Sequence, residues 1–507
     1  MRYKILSVFA ALAAITACGD LTSINQNPNG PVDVPPPSIL PSVIQTLVGT
    51  VNGVTSLNIR GGGLWVQYYS EIQYRDEDKY LVRSGTSGGW GLYNSALEDA
   101  QRMIRKGEAS NDANWSAVGR ILKAHTYSVM TDAMGDLPYT QALRGDTILH
   151  PAYDKQQSIY DSLFANLAQA SSAINLAGGA AGFSANSDLL YGGDMAKWQK
   201  FANSLRLRLA MHLSNANATK AASEAAAAVA AAGGVFTSDS DNAALVYLAT
   251  SPNQNPIFGD AHIGNRDDYG LSKTFVDTLT SWNDPRLPVF AQIPPAGTAY
   301  RGLPNGLEDG EKIDTILDAI KYISRIGALW RETPDAPLEL LSYSEVLFLR
   351  AEAAERGWIP GGSAAAATFY TNAIKASMRQ YGIDSATTAT YLAQGKVQYD
   401  SAGGATLAGH LQQIAYQKWI SMFMQGPEAW TEWRRTLVPK LVAGCHAVVR
   451  SIPERLPYDD AEAVLNKASL DAAVASQGFT QGNDLTKPLW FTGRTTSPTY
   501  PPPAYCP

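Results

Sequence analysis

The sequence predicts a mainly α-helical fold, built from helical hairpins of tetratricopeptide type with large loop insertions and few short strands. The first observation is the amphipathic stretch 197–214, in which Trp198, Phe201 and Leu205 recur at helical spacing on one apolar face. Arg208 lies off that face. Similar amphipathic runs occur at residues 114–134, 156–176, 338–357, 364–381 and 408–424.

The second observation is a pair of predicted helices that flank a Gly/Pro turn at residues 358–362. Ala354, Ala366, Tyr370 and Ala373 fall at the spacing of the small, small, aromatic and small positions of tetratricopeptide repeats. In that repeat the small residues let two antiparallel helices approach closely, and the aromatic ring fills the gap between them. We therefore expect a scaffold of degenerate helical pairs.

Strand and loop signals complete the outline of the fold. Residues 242–249, NAALVYLA, are the best strand candidate, and a short hairpin is expected near them. Residues 50–96 and 250–336 are rich in Gly, Pro, Asn, Asp and aromatic side chains. They are too long to be simple connections. Long loops on a rigid scaffold commonly carry binding sites, so we expect the ligand there.

The N-terminus has the layout of an exported lipoprotein. Arg2 and Lys4 precede an apolar run that is too short to span a bilayer, as in a secretory signal peptide. The junction Ile-Thr-Ala-Cys that ends at Cys18 resembles the bacterial lipobox, which implies that Cys18 is lipidated. The alternative is an ordinary secreted protein with a chance cysteine near its cleavage site.

The domain organisation follows from this reading. Residues 1–17 are the predicted lipoprotein signal peptide, and residues 18–40 the lipidated N-terminus with a proline-rich tether, because proline removes backbone donors. Residues 41–507 are predicted to form one folded domain. Two cysteines remain, Cys445 and Cys506, and in an exported protein they could pair and pin the C-terminal tail to the body.

The charge balance limits the partners. The 507 residues carry a formal net charge of −6, which becomes −8 when the signal peptide is removed with its two basic residues. An acidic protein is poorly suited to nucleic acid. Its charge also gives no help in binding anionic lipid headgroups, so we expect membrane attachment through the lipid anchor only.

Six phrases in a fixed order resemble one known family. They are GDLPYTQAL (135–143), YDKQQSIYDSLFANL (153–167), LLYGGDMAKWQKFANSLRLRLAMHLS (189–214), NDPRLPVFAQ (283–292), SYSEVLFLRAEAAERGW (342–358) and QKWISMFMQGPEAWTEWRRT (417–436). Together with the lipobox and the helical pairs, they resemble the SusD/RagB-like nutrient-binding outer-membrane lipoproteins. The resemblance implies a surface-exposed protein that binds a nutrient, most often an oligosaccharide and sometimes a peptide. Such a protein delivers its nutrient to a SusC-type TonB-dependent transporter, as in polysaccharide utilisation, and does not cleave it.

The N-terminal insertion supplies the first candidate ligand residues. Flat aromatic faces suit sugar rings, and nearby polar groups can bind the ring edges. The candidates in residues 61–94 are Tyr69, Tyr74, Arg75, Tyr80 and Trp90. Trp65, Tyr68 and Tyr69 also fit one helix face, which favours burial for those three.

The second insertion supplies the remaining candidates, in residues 259–270 and 281–287. They are Asn265, Arg266, Tyr269 and Trp282, which could face the same ligand. The alternative is that this region is held by hydrogen bonds and salt bridges within the loop, a reading that we favour for Asp284 and Arg286.

An enzyme is the main alternative to a binding protein. Residues 85–89, GTSGG, match the G-x-S-x-G nucleophile elbow with Ser87 as nucleophile, which would indicate a surface-anchored glycan- or ester-hydrolysing enzyme. That elbow needs a parallel sheet, for which this chain has no alternating strand and helix pattern. The histidines are dispersed and no H-E-x-x-H or C-x-x-C occurs, so neither a metal nor a cofactor is predicted. A peptide-binding member of the same family and a scaffold that binds only protein are further alternatives.

Overall fold

The computed structural model describes residues 33–54, 57–82, 89–144, 147–178, 182–311, 319–401 and 404–506. The predicted signal peptide, Cys18 and Ser87 lie outside these residues. Helices dominate the described part of the chain and the strands are few and short, which confirms the predicted fold class. Within the same ranges, no helix combines the length and the hydrophobicity that a membrane span requires.

Thirteen of the longer helices carry the labels used below. They are α1 (Pro36–Asn52), α2 (Glu98–Ser110), α3 (Ala113–Met134), α4 (Gln156–Ala173), α5 (Met195–His212), α6 (Ala218–Ala230), α7 (Lys273–Ser281), α8 (Tyr343–Glu355), α9 (Gly362–Gln380), α10 (Ser385–Leu392), α11 (Leu407–Ser421), α12 (Gly426–Thr436) and α13 (Lys467–Ser476). Consecutive helices from α2 to α6 pack against each other in order, and α8 packs closely on α9.

The described strands form three antiparallel pairs. The strands are β1 (Tyr69–Glu71), β2 (Leu137–Pro138), β3 (Tyr153–Asp154), β4 (Ala243–Leu245), β5 (Tyr269–Leu271) and β6 (Leu338–Leu341). β1 pairs with β5, β2 with β3, and β4 with β6. The largest hydrophobic cluster of the core takes side chains from Ile39 near the start of the fold to Phe491 near its end, and smaller clusters lie beside it.

Polar side chains fix where several helices begin. The Asp112 carboxylate accepts hydrogen bonds from the backbone N–H groups of Asn114 and Trp115 at the start of α3. Ser342 caps α8 in the same way, and Thr406 caps α11. Each cap satisfies backbone donors that have no partner inside the helix.

The helical hairpin predicted at residues 342–381 is present as α8 and α9. Ala354, Ala366, Tyr370 and Ala373 are all buried where the two helices meet. The Tyr370 hydroxyl donates to the carbonyl of Val397 and accepts from the Gln413 amide, so the aromatic position of the repeat is also hydrogen-bonded.

Two boundaries differ from the sequence prediction. The tether was predicted to extend to residue 40, but α1 begins at Pro36, and Ile39 and Leu40 are buried. Proline is well accommodated in a first helical turn, where its missing N–H has no partner to lose. The folded domain therefore includes residues from Pro36 onwards, earlier than the predicted start at residue 41.

The run at residues 338–357 was predicted as one helix and instead divides into β6 and α8. β6 pairs with β4, so the strand expected at residues 242–249 finds its partner far along the chain and not in a local hairpin. Beyond β4, Val246 and Leu248 are exposed. Long-range pairing of this kind has no local sequence signal.

A central ion-pair network lies between five helices: α3, α5, α8, α11 and α12. Its cations are Arg208, His212, Lys418 and Arg435, and its anions are Asp132, Glu345, Glu352, Glu428 and Glu432; all but the half-buried Glu428 are buried. Arg208 Nη2 lies 2.6 Å from Glu345 Oε2, and Arg435 Nη2 lies 2.6 Å from Glu352 Oε2. Glu432 and Arg435, which are three residues apart, are also paired, at 2.7 Å.

His212 occupies the centre of this network with a carboxylate on each ring nitrogen. Nδ1 lies 3.0 Å from Asp132 Oδ2, and Nε2 lies 2.8 Å from Glu428 Oε1. Burial opposes the charged imidazole, but the charges of Glu428 and Asp132 outweigh it and raise the pKa of His212 to about 9. The ring is therefore an imidazolium at neutral pH.

The structure also joins Cys445 and Cys506 by a disulfide bond, with their Cα atoms 5.4 Å apart. Cys445 belongs to a small hydrophobic cluster with Ile72, Leu303 and Ile323, and Cys506 packs against that cluster. The C-terminal tail is thereby fastened at the base of the loop that follows β1.

His212 is expected to stabilise the fold in a pH-dependent way. Its pKa is about 9 in the folded chain against 6.5 for an ordinary histidine, so its contribution is complete below pH 6.5 and is lost as the pH rises through 9. His212→Gln should lower the free energy of unfolding by about 3 kcal/mol at pH 6, and by much less near pH 9. Urea unfolding at pH 6, 7.5 and 9 measures this difference. The exposed His150 is the control, since His150→Gln should change stability little at any of these values. A deficit for His212→Gln that does not depend on pH would contradict the assignment.

The disulfide should leave no free thiol in a protein of residues 19–507. Denatured, non-reduced protein is expected to react with no thiol reagent, and reduced protein at two sites, Cys445 and Cys506. Because the bond closes a loop with a sequence separation of 61, Cys506→Ser should destabilise the fold by about 4 kcal/mol. That variant is also the control for the assay, since it should show one thiol without reduction. Two reactive thiols in non-reduced wild-type protein would exclude the bond.

Candidate functional site

The β1–β5 pair brings the two predicted binding insertions together. Tyr69 pairs with Leu271 and Glu71 with Tyr269, and the Ile72 N–H continues the pairing by donating to the Asp268 carbonyl. The loop 72–80 after β1 therefore lies beside the loop 259–268 before β5. We call the surface formed by these two loops the double-loop face.

Close backbone packing sets the position of β1. The π-helical segment Leu57–Gly63 lies against the start of α12. A Cβ on Gly62 would lie 2.2 Å from the carbonyl oxygen of Gly426, so only glycine fits there. Trp65 then packs edge-on against Trp430 of α12, with ring centroids 4.6 Å apart. The Gly-rich sequence at residues 60–63 thus lets the backbone of this segment lie close to the backbone of α12.

Tyr74 is the exposed aromatic residue of the double-loop face. It is 56% exposed, and its backbone φ is +58°. The left-handed region is uncommon for a bulky residue and costs free energy unless the surroundings compensate. The Arg266 guanidinium lies 5.7 Å from the centre of the Tyr74 ring, within the range of a cation–π contact. Tyr74 and Arg266, which were predicted from separate insertions, therefore meet.

The polar groups of the face are held by ion pairs and hydrogen bonds. Arg266 Nε donates to Asp268 Oδ2 at 2.7 Å, and the Gln73 amide donates to the other oxygen of the same carboxylate. Asp267 accepts from Arg325 and Arg331. These contacts match the alternative reading of the second insertion, in which charged residues hold the loop itself.

Three further exposed residues extend the face: Asn265, which was predicted, and His262 and Ile263, which were not predicted as ligand contacts. Asn265 is exposed and has φ +50°, a conformation that asparagine adopts more readily than most residues. The His262 side chain is held by two other residues: its Nε2 contacts Glu332 Oε2 at 2.7 Å, and its ring packs on Phe258. Ile263 beside it is 64% exposed. The only sequence signal for Ile263 was its position in a long loop.

A small cavity lies under the face, below Arg266 and beside Asp260, Tyr269 and Arg331. Its volume is about 20 Å³, enough for a water molecule and too little for a sugar ring. Burial, with the nearby Asp268 charge, raises the pKa of Asp260. This cavity is therefore not a binding site for a sugar, and the groups of the face that a ligand could reach are the exposed ones above it, such as Tyr74 and Arg266.

Four predicted ligand residues are buried and support the loops instead. Tyr69 is fully buried, and its hydroxyl donates to Met424 Sδ. Arg75 donates to the carbonyls of residues 72, 308 and 311. Tyr80 is 2% exposed, and the buried Tyr269 hydroxyl accepts from Arg60 Nε at 2.7 Å. For these four the expectation of direct ligand contact is corrected, because each side chain turns into the protein from its strand or loop.

Asp78 is the residue that orders the loop after β1, and it was not singled out from sequence. Its carboxylate accepts hydrogen bonds from the Ser70 hydroxyl, the Asn305 amide and the Gly306 N–H, at 2.6 to 3.0 Å. Glu71 in turn accepts from the Asp78 N–H. Burial, together with the charges of Asp78 and Glu77, raises the pKa of Glu71 well above its usual range. The loop is therefore fixed by hydrogen bonds to two buried carboxyl groups, those of Asp78 and Glu71.

The last two predicted residues belong to other surroundings. Trp90 packs with Tyr93, Tyr153 and Tyr458 in a separate aromatic cluster. Trp282 follows the end of α7 and stacks on Tyr416, with centroids 4.7 Å apart and planes 12° from parallel. The double-loop face thus keeps three of the nine predicted residues as exposed groups: Tyr74, Asn265 and Arg266.

Comparison with known proteins agrees with this fold. A family model described as starch-binding and associating with the outer membrane matches residues 28–459. The chain belongs to this SusD-like family. A chitin-binding protein of known structure is 30% identical, with a TM-score of 0.74 over 90% of this chain and 100% of its own. None of the curated protein sequences compared with the chain matches it.

Two further SusD homologues of known structure share the fold. A chitin-binding homologue from Flavobacterium johnsoniae is 24% identical, with a TM-score of 0.77 over 90% of this chain and 98% of its own. A homologue from Bacteroides fragilis is 24% identical, with a TM-score of 0.76 over 91% of this chain and 100% of its own.

One group of side chains in this SusD-like protein has the spacing of a metal site. Ligand atoms of His212, Glu428 and Glu432 lie within 4.8 Å of one another. However, Lys418 and Arg435 pair with Glu432, Arg208 approaches Glu428, and both nitrogens of His212 contact carboxylates. The anions are already neutralised by cations, so these residues do not fit a divalent ion.

The nucleophile elbow has no support in the part of the chain that the structure describes. Ser87 falls outside it. Each of the three described sheets is a short antiparallel pair, whereas the elbow needs a parallel strand that leads into a helix.

Asp78 should control the order of the double-loop face. Asp78→Asn keeps the size of the side chain but replaces one acceptor oxygen by a donor that faces other donors. We expect a loss of about 2 kcal/mol in unfolding free energy. Asp76→Asn is the matched control, because the Asp76 side chain is 46% exposed and lies 3.8 Å from Lys79; it should cost less than about 0.5 kcal/mol. Equal stability of the two variants in urea unfolding would show that Asp78 does not fix the loop.

Proposed function

We propose that this SusD-like protein is a lipid-anchored outer-membrane protein that binds an oligosaccharide and passes it to a SusC-type TonB-dependent transporter. The ligand lies on the double-loop face. The observation that carries the proposal is the exposed Tyr74, held in a left-handed conformation beside Arg266 on a surface built from two distant parts of the chain.

The chemistry of the face suits a neutral sugar. The apolar C–H face of a pyranose packs on the Tyr74 ring, and its hydroxyl groups hydrogen-bond to Asn265 and to the free N–H groups of Arg266. Arg266 is already paired with Asp268, so the face presents little net charge to a ligand. An uncharged glycan is favoured over a peptide, whose termini and side chains would bring charge of their own.

The family supports the same class of ligand. Its description names starch, and two similar proteins of known structure are named as chitin-binding. Both are neutral glycans with pyranose rings linked in chains. Their chemistry is what an exposed tyrosine bordered by hydrogen-bonding groups can recognise.

Binding without cleavage is the proposed activity. A glycoside hydrolase needs one carboxyl group as acid and a second carboxylate as base or nucleophile. On the double-loop face, Asp267 is paired with Arg325 and Arg331, and Asp268 with Arg266. Burial opposes the charged form of Asp267, but the contacts with Arg325 and Arg331 outweigh it and lower the pKa of Asp267, which makes it a poor proton donor. The ion pair of Asp268 supports a role in positioning the loop.

The N-terminal segment gives the proposed attachment. The 18 residues from Cys18 to Pro35 would reach about 55 Å if extended as polyproline II. Lipid at Cys18 would hold the fold near the membrane while leaving it room to move against a transporter. We expect the intact protein to purify from membranes together with a SusC-type transporter in equal amount.

Loss of the Tyr74 ring should weaken glycan binding at least tenfold, which corresponds to about 1.4 kcal/mol. The measurement is calorimetric titration of residues 19–507 and of Tyr74→Ala with chito- and malto-oligosaccharides of three to six sugars. Trp358→Ala is the matched control. There Arg356 lies 5.1 Å from the Trp358 ring, in an equivalent cation–π pair at the far end of α8.

The control should bind as tightly as the wild type. If Tyr74→Ala also binds the same sugar with unchanged affinity, the ligand lies elsewhere. If peptides bind and no sugar does, the peptide-binding alternative replaces the proposal. Release of reducing ends during the titration would favour an enzyme.

A further inference from the structure

We propose that the groove between the end of α7 and helix α10 is a second glycan-binding subsite, separate from the double-loop face. The groove has a volume of about 370 Å³, in the range of small-molecule sites. The residues that line it are Asn283, Pro285, Thr387, Thr390, Tyr391 and Gln394. This inference rests on the proposed function for the class of ligand, and its position is new.

The groove offers uncharged hydrogen-bonding groups without partners. Among the described residues, the side-chain amides of Asn283 and Gln394 make no hydrogen bond, and each can donate and accept. The Thr387 hydroxyl donates to Asp384 and the Thr390 hydroxyl to the Ala386 carbonyl, which leaves both oxygens as acceptors. Paired donors and acceptors of this kind match the hydroxyl and acetamido groups of a neutral sugar.

The floor of the groove is rigid and neutral. Tyr391 is buried, its hydroxyl accepts from the Gln417 amide, and burial raises its pKa well above the usual range. Beneath it, Arg286 and Asp284 form a fully buried ion pair whose charges cancel. A charged ligand would find no counter-ion at this floor, whereas a neutral sugar needs none.

The rim of the groove is held in an unusual conformation. Asn283 has φ +45°, and it follows Trp282 directly. The Trp282 ring is half-buried and stacked parallel to Tyr416, so its position is fixed by an aromatic partner. Trp282 is therefore a fixed neighbour, in sequence, of the exposed Asn283 that lines the groove. Trp282, which the sequence analysis included in the ligand site, is outside the groove lining and serves here as a nearby reporter of the second subsite.

Helix α7 separates the two subsites. β5 of the double-loop face ends at Leu271, and α7 then extends from Lys273 to Ser281, a length of about 13 Å. Two subsites on one body would let the protein hold a long glycan at two points, or hold two chains. Binding of one long chain at both points raises the apparent affinity for polymers over short fragments.

Fluorine NMR of protein labelled with 5-fluorotryptophan tests the second subsite. The chain has 11 tryptophans, and the spectrum of Trp282→Phe assigns the Trp282 signal. N-acetylchitotriose and maltotriose are the probes. We expect one of them to shift the Trp282 signal in the wild type and equally in Tyr74→Ala. The variant that combines Asn283→Gly with Gln394→Ala should need at least tenfold more probe for the same shift.

The variants are chosen so that they fold. Glycine at 283 accepts the positive φ, and Gln394 is only half-buried. Gln398→Ala, an exposed glutamine four residues further on and outside the groove, is the matched control and should respond as the wild type does. Thermal unfolding of each variant confirms that it is folded before titration.

Each outcome separates this inference from the proposed function. If the Trp282 signal stays unmoved while Tyr74→Ala abolishes glycan binding, the second subsite is rejected and the double-loop face stands. A Trp282 shift that disappears in Tyr74→Ala but survives the groove substitutions is transmitted from the first site, and also rejects the inference. A shift that depends on Gln394 while Tyr74→Ala binds normally keeps the groove and rejects the face. If neither sugar moves the Trp282 signal and calorimetric titration detects no binding to the wild type, both the inference and the proposed function are overturned.

Discussion

The central ion-pair network is the constraint on which the rest of the structure depends. Burying so many charges is unfavourable unless every one finds a partner, and here each carboxylate contacts a cation and His212 contacts two carboxylates. The pairs join helices from both halves of the chain and so fix α12. Gly426 at the start of α12 then positions Gly62, and through it β1. The exposed loop that carries Tyr74 is thus held by charges deep in the protein.

The helical scaffold could be predicted because its signals are local. Apolar residues at helical spacing in residues 197–214 and the small and aromatic positions of α8 and α9 repeat over a few turns. No such local signal shows which polar residues of those helices are buried, or which residues they pair with. Arg208 lies off the apolar face of its helix and was therefore not expected in the core. It is nevertheless buried, because it pairs with Glu345, which is 137 residues away in the sequence. For the same reason the pairing of β4 with β6 could not be predicted.

The candidate site could likewise be predicted only as far as its signals are local. Composition located both insertions, since aromatic and polar residues are dense there, but it could not tell Tyr74 from Tyr80. Both have positive φ and lie six residues apart, yet one is 56% exposed and the other 2%. The difference comes from Asp78, whose hydrogen bonds to Ser70, Asn305 and Gly306 decide which way the loop turns. Those partners belong to segments more than 200 residues apart in sequence.

The disulfide-bonded tail has a practical meaning for handling this protein. Cys506 packs against the cluster that contains Ile72. Tyr74 is two positions further along the chain, so its Cα lies at most about 7 Å from that of Ile72. Anything fused to the C-terminus would emerge beside the surface proposed to meet the glycan, and would compete with it for space. An affinity tag or a solid support attached through the segment that precedes α1 avoids the disulfide-bonded tail, and the proposed lipid would hold the protein through that same segment.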